Sequence, residues 1–382
     1  MKILHTSDWH VGKTLARRSR LDEARDVLAE IVEVAEREAV DAVLVCGDVF
    51  EQQAPSAEAE AVVYETLVEF ERREIPVLLL PGNHDNPHRW KALEPLLGRF
   101  TIHVVPEVRR PDGGGIVRIP ARDNSTELQV AALPWVFERR LVGARELMGL
   151  PGEVFQTYAE EMAVLIEALC EPLDPSVCTA FAGHLFVSGS RPGEAQRGLT
   201  IGQLYAVTTQ ALPDVQYAAL GHIHRPQRIP GAARPAYYAG SPLQLDFGEV
   251  DQEKCINIVE LRPGEPADVQ SIPLSRGRRL CDMRGTLEEL EAQRDSVGDS
   301  FLRVTVVCNG PLPGLGDEVR ALFPNALDVR LDYPREDVPT GTPIRGLTPR
   351  EQYARFLKEK YGAEPDDSEL DLFEELLTEA TT

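Results

Sequence analysis

Apolar positions in the first hundred residues follow two alternating rhythms. Lys2 to His5 is a short apolar run, after which Leu21, Ala24, Leu28, Ile31 and Ala35 recur at spacings of three and four. That is the period of a helix with one buried face. A second run at Asp41 to Cys46, a helical pattern between Pro55 and Arg73 with proline in its opening turn, and a third run at Pro76 to Leu80 complete a predicted β-α-β-α-β chain. Parallel strands joined by right-handed crossovers align their C-terminal ends along one edge, where ligands collect. The polar residues that follow each strand are therefore the first place to look for chemistry.

Further on, the rhythm shortens. Leu128 to Ala132 and Ile256 to Leu261 read as strands and Val154 to Leu169 as a helix, so residues 1–275 form one layered α/β domain, a β-sandwich flanked by helices. Residues 276–333 carry helical patterns at Leu287 to Gln293 and Leu315 to Phe323 and strands at Phe301 to Val307 and Leu327 to Leu331, which predicts a small α+β capping domain. Residues 334–346 are rich in Pro, Gly, Thr and charge, the composition of a linker. Residues 347–382 are expected to form a helix pair. Thr348-Pro349-Arg350-Glu351 is a capping box with proline in the first turn, and Ser368 with Asp371 repeats the logic. Tyr353, Phe356, Leu357 and Tyr361 stripe one of these helices, and Leu370, Phe373, Leu376 and Leu377 the other. A helical hairpin folded onto its own domain and a partner-binding pair both fit this pattern, and the position beyond a linker favours the second.

Composition narrows the function. The 382 residues are 43% hydrophobic and 27% charged, ordinary for a globular protein. With 62 acidic against 40 basic residues the net charge is −22, which excludes coating of nucleic acid or anionic membrane by bulk electrostatics. A phosphate-bearing substrate must be met by local cations. No signal-peptide pattern opens the chain, no window has the length of a membrane helix, and the six cysteines show no Cys-x-x-Cys pair. A reducing, cytoplasmic setting is expected.

Metal-ligating residue types stand at the ends of the apolar runs. Asp8-Trp9-His10 follows the first, Gly47-Asp48 the second and Gly82-Asn83-His84-Asp85 the third, while Gly183-His184 and Gly221-His222-Ile223-His224 follow later runs. Any one of these is weak evidence, since a lone histidine is more often a core or surface residue. Five in order, each after a strand, point at one edge. Glycines before Asp48, Asn83, His184 and His222 allow close backbone approach. His5, inside the first strand, is expected to be a hydrogen-bonded core residue. His88 and His103 are expected at the surface, and Trp9 and Phe186 are expected to pack beside the ligands.

This ordered set resembles that of the calcineurin-like metallophosphoesterases, over roughly residues 1–275. The opening Met1-to-Lys13 stretch, Gly47-Asp48-Val49-Phe50 and Gly240-Ser241-Pro242-Leu243 are most similar to the branch of that family that supplies the DNA-nuclease subunit of a complex with a coiled-coil ABC ATPase. The resemblance implies two divalent metals, manganese foremost. Asp8, His10, Asp48 and His224 would hold one, and Asp48, Asn83, His184 and His222 the other, with Asp48 shared. It leaves His84 as the acid or phosphate-orienting group, and Glu51, three residues after Asp48, either as the carboxylate that orients His84 or as a solvated loop acid. The Asp-Arg-Gly of phosphoprotein phosphatases is missing after Asp48, which disfavours a protein phosphatase. The implied activity is 3′-to-5′ exonuclease on duplex DNA and endonuclease on single-stranded or hairpin DNA, serving repair, replication and recombination. The implied assembly is a homodimer that engages the ATPase through its C-terminal helices. Two other readings stay open: a metallophosphodiesterase of small molecules such as cyclic nucleotides, and a non-catalytic scaffold. Basic clusters at Arg17-Arg18-Ser19-Arg20, Arg109-Arg110 and Arg276-Gly277-Arg278-Arg279 either steer DNA or are ordinary solvated arginines.

Overall fold

Side chains alternate along a strand, so a strand buried on both faces must be apolar at every position. Ala42–Cys46 is such a strand, with Leu44 and Cys46 in one core and Val43 and Val45 in another. The computed structural model describes residues 1–149, 157–193, 206–310, 314–333, 348–361 and 366–381. They form two compact units, Met1–Val306 with Pro313–Arg330, and Val307–Leu312 with Leu331–Thr382.

The larger unit is built on two six-stranded sheets. In the first, Asp268–Pro273, Cys255–Glu260, Lys2–Thr6, Ala42–Cys46, Val77–Leu80 and Ile102–Val104 lie side by side, the last four parallel and the first two antiparallel. The second runs Gln227–Arg228, Ala236–Tyr238, Tyr217–Gly221, Cys178–His184, Glu127–Leu133 and Ile116–Pro120, with a parallel centre and antiparallel edges. Ile3, Leu44 and Leu78 of the first sheet meet Val130, Ala180 and Ala219 of the second in a shared apolar layer. Helices Leu21–Arg37 and Ala57–Arg72 cover the outer face of the first sheet, and Glu138–Met148 and Tyr158–Cys170 that of the second. This is the expected layered β-sandwich flanked by helices.

Local chemistry sets the helix ends. The second helix starts after Ser56, whose hydroxyl accepts the Ala59 N–H at 3.3 Å, so Pro55 precedes the cap and is not in the first turn. The helix Tyr158–Cys170 begins at a full capping box of Thr157 and Glu160, and the expected start at Val154 lies outside the described residues. Residues 276–333 hold a three-stranded sheet of Leu280–Gly285, Phe301–Val307 and Ala326–Asp332, with the first two strands parallel. Its first strand went unpredicted because arginines flank it and its apolar positions are few. Leu280 and Phe301 pack with Leu15 and Phe247.

The expected linker, residues 334–346, lies outside the described residues. In the smaller unit, helices Pro349–Tyr361 and Asp367–Thr381 stack Tyr353 on Phe373 at 4.1 Å between ring centres. Arg350 bonds Asp371 at 2.6 Å and Glu374 at 2.9 Å. Thr348 and Glu351 form the expected capping box. The second helix is capped by Asp366, which accepts the Glu369 N–H at 2.9 Å, so Ser368 stands in the first turn and is not the cap. Among the described residues no helix is long and apolar enough to cross a membrane.

The layer between the sheets should carry much of the stability. Leu44→Ala, at a site with no solvent exposure, should cost about 2–5 kcal/mol, read as a lower urea midpoint at unchanged slope.

Candidate metal centre

The C-terminal ends of five strands converge. Asp8 and His10 follow Lys2–Thr6, Asp48 follows Ala42–Cys46, Asn83 and His84 follow Val77–Leu80, His184 ends its strand, and His222 and His224 follow Tyr217–Gly221. Three overlapping groups have donor atoms within 4.8 Å of one another: Asp8, His10 and His224; His10, Asp48 and His84; and Asp48, His184 and His222. Asp48 and His10 belong to two groups each. The Asn83 amide oxygen lies 3.1 Å from His184 Nε2 and 3.0 Å from His222 Nδ1. All seven expected ligands and His84 are thus gathered at one place, and Asp8, His10, Asp48 and His184 are buried.

The backbone bends sharply to achieve this. Asp8, His10, Asp48 and His222 have φ of 52°, 46°, 50° and 105°, a left-handed region that residues with a side chain avoid. Such strain costs about 1–3 kcal/mol per residue and persists where the surroundings enforce it. Here the Asp8 N–H bonds Gly47 O at 2.9 Å and the His10 N–H bonds Asp48 O at 2.9 Å, lacing the two loops together. Gly82 passes so close to Asp48 that a Cβ there would sit 2.1 Å from Asp48 Oδ1.

Asp48 is the electrostatic centre. Its Oδ1 accepts the His84 main-chain N–H at 2.9 Å, while Oδ2 lies 3.4 Å from His184 Nε2 and 3.6 Å from His10 Nε2. Burial pushes its pKa up, but His184, His10 and His84 outweigh that and hold it well below the usual carboxylate range. Burial would likewise lower the His184 pKa, and the Asp48 carboxylate instead raises it to about 9. His222 is pushed down to about 3 by burial and by its neighbour His184, and burial lowers His10 too.

The rings of His10, His84, His184 and His224 are fixed from behind. Only a donor can face a carbonyl, so the Nδ1–H of His184 points at Cys46 O (2.8 Å) and that of His84 at Glu51 O (2.9 Å). Their Nε2 atoms are left to the site. The carboxylate of Glu51 does not reach His84 as expected: it bonds His10 Nδ1 at 2.8 Å and Lys13 Nζ at 2.7 Å, and its main-chain oxygen holds His84. Burial raises the Glu51 pKa, but His10 and Lys13 bring it down to about 2.

Some supporting residues were not singled out from sequence. Asp85 accepts N–H groups of Val49 (3.0 Å), Phe50 (3.0 Å) and Gly82 (2.9 Å), pinning the Asp48 loop to the Asn83 loop. Burial and then Asp48 raise its pKa to about 6 against those bonds. Its signal was its place in Gly-Asn-His-Asp. Glu249, Lys254 and Trp135, which stacks on His222 with ring centres 5.0 Å apart, had no readable signal, since partners so distant in sequence meet only in the fold. His5 is a core residue, its Nδ1 2.8 Å from the Tyr217 hydroxyl. Trp9 is buried and bonded to Thr6, Phe186 lies 6.4 Å from the His222 ring, and His88 and His103 are exposed. Arg20 and Arg109 are engaged by Glu23 and Glu94, so those two cations of the basic clusters are structural.

The donor set fits divalent metals. Imidazole, carboxylate and amide are mixed, as suits a borderline cation, and the buried His10 Nε2 has no hydrogen-bond partner among the described residues.

Comparison with known proteins agrees with this geometry. The calcineurin-like phosphoesterase family matches residues 1–226. SbcD of the SbcCD nuclease of Bacillus subtilis (strain 168) is 30% identical over 394 residues, covering 98% of this chain and 97% of that protein. The same-named protein of Rhodobacter capsulatus is 34% identical over 286 residues, covering 72% and 70%. That of Escherichia coli K12 is 28% identical over 306 residues, covering 78% and 74%.

Two outcomes are expected. Gly82→Ala should displace Asp48 and abolish tight metal binding in a protein that still melts cooperatively, checked by calorimetric titration with Mn²⁺. An imidazole held at about 9 against about 6.5 in an unfolded chain adds stability below pH 6.5 that is lost as pH rises through 9. Chelator-treated protein should therefore unfold at lower urea at pH 9 than at pH 6.5, and His184→Gln should flatten the difference.

Proposed function

The chain belongs to the SbcD family of calcineurin-like phosphoesterases, and from that membership we propose that it is a two-metal DNA nuclease acting beside an SbcC-type coiled-coil ABC ATPase. The reading is a 3′-to-5′ exonuclease on duplex DNA and an endonuclease on single-stranded or hairpin DNA, in repair, replication and recombination. The observation that carries it is the convergence of Asp8, His10, Asp48, Asn83, His184, His222 and His224 from five strand ends. The similarity to SbcD across nearly the whole chain favours DNA over a small phosphodiester.

Asp8, His10, Asp48 and His224 would hold one divalent metal and Asp48, Asn83, His184 and His222 the other; the donors suit a borderline cation such as manganese or iron, and the family resemblance puts manganese first. Bound there, the pair supplies charge neutralisation for the phosphate and a lowered pKa for the attacking water. The protein does the rest. His84, with Nδ1–H fixed on Glu51 O, exchanges protons at Nε2 and protonates the departing sugar oxygen. Trp135, stacked on His222, walls the site and limits water. Asp85 holds the Asp48 and Asn83 loops at constant spacing as substrate enters.

Residues 1–275 are read as the nuclease domain, 276–333 as a small capping unit and 347–382 as the helix pair that docks on the ATPase, with helices of the nuclease domain forming a homodimer. The acidic second helix suits a basic partner surface.

Purified protein should cleave end-labelled duplex and hairpin DNA with Mn²⁺ and lose that activity with chelator or in Asp48→Ala. His84→Ser should keep metal binding and lose at least about a hundredfold in turnover. Near-full activity in His84→Ser would end the acid assignment. Deleting residues 346–382 should abolish co-purification with the ATPase while sparing intrinsic cleavage.

A further inference from the structure

One buried ion pair grips His224 at both ends. Glu249 Oε1 faces His224 Nδ1 at 2.9 Å, and Oε2 accepts the Leu245 N–H at 3.0 Å and meets Lys254 Nζ at 2.8 Å. Lys254 Nζ donates to the main-chain oxygen of His224, to Ser241 Oγ and to Gln252 Oε1, each at 2.9 Å. Ring and backbone of one residue are therefore held by the two halves of one pair. Glu249 and Lys254 are only 1% and 7% exposed. Two charges taken out of water repay their desolvation only when every polar atom is bonded, and an apolar pair would stabilise such a place as well or better. The pair calls for a role in what His224 does.

His10 has the same arrangement in a more open form. Glu51 Oε2 bonds His10 Nδ1 at 2.8 Å and Lys13 Nζ bonds Glu51 Oε1 at 2.7 Å. His184 differs, since its Nδ1 faces a neutral carbonyl, Cys46 O. A carboxylate behind an imidazole fixes its tautomer and makes the other nitrogen a stronger donor to a metal. The group Asp8, His10, Asp48 and His224 has two such imidazoles. The group Asp48, Asn83, His184 and His222 has a carbonyl-backed imidazole and an uncharged amide.

We propose that Glu249 and Lys254 are positioning residues for His224, and that with Glu51 and Lys13 they make the Asp8, His10, Asp48, His224 position the tighter of the two metal positions. This rests on the two-metal reading above.

The test is calorimetric titration of chelator-treated, full-length protein with Mn²⁺. Wild type should show two events of unequal affinity. Glu249→Gln should weaken the tighter event about 10–100-fold and leave the weaker one unchanged, and Lys254→Met should move it the same way. Asn83→Ala, which removes a donor of the other position only, should weaken the weaker event. Wild-type constants in Glu249→Gln, or equal loss at both events, would overturn the inference while leaving two-metal binding intact. Fewer than two events in wild type would overturn the two-metal reading itself. Should Glu249→Gln not fold, Glu51→Gln carries the same prediction for the tighter event from a partly exposed position.

Discussion

An ionised carboxylate kept where water is excluded is the constraint on which this face of the molecule depends. Asp48 is 2% exposed, yet its charge is held by imidazoles on two sides and a main-chain N–H on a third. To place it there the chain adopts a left-handed turn, and the neighbouring strand end must be glycine. Rigid parallel strands make that possible, because each loop leaves a strand whose register is fixed on both sides by ladders and on both faces by apolar packing. The sandwich is the frame in which an unfavourable local geometry can persist.

The overall charge gives the same carboxylate a second meaning. A chain at −22 repels the phosphates it is proposed to cut. Its remedy is local: acidic and imidazole donors collect cations at one edge, and many arginines elsewhere are matched with acids, as Arg109 is with Glu94 and Arg276 with Glu33.

Much of this could be read from the chain. Unbroken apolar runs and the 3.6-residue rhythm mark the first three strands and two helices nearly residue by residue, since both faces of those strands are buried and one face of each helix is, which leaves strong patterns. The strand-end rule pointed to all seven ligand candidates. Edge strands such as Asp268–Pro273 and Leu280–Gly285 were missed because a half-exposed strand carries fewer apolar positions. Glu51 meets His84 through its main-chain oxygen, and its carboxylate meets His10 instead: spacing says how near two residues are along the chain, and only the fold says which ring a carboxylate meets. Glu249 and Lys254 follow His224 by many residues, and no periodicity links them to it.

The donors also arrive in a fixed temporal order. Asp8 is made first and His224 last, and the three donors of the second sheet, His184, His222 and His224, all come after every donor of the first. A ribosome-bound chain therefore carries an incomplete donor set for more than half of its synthesis, and whatever chemistry the full set supports must wait until His224 has been added.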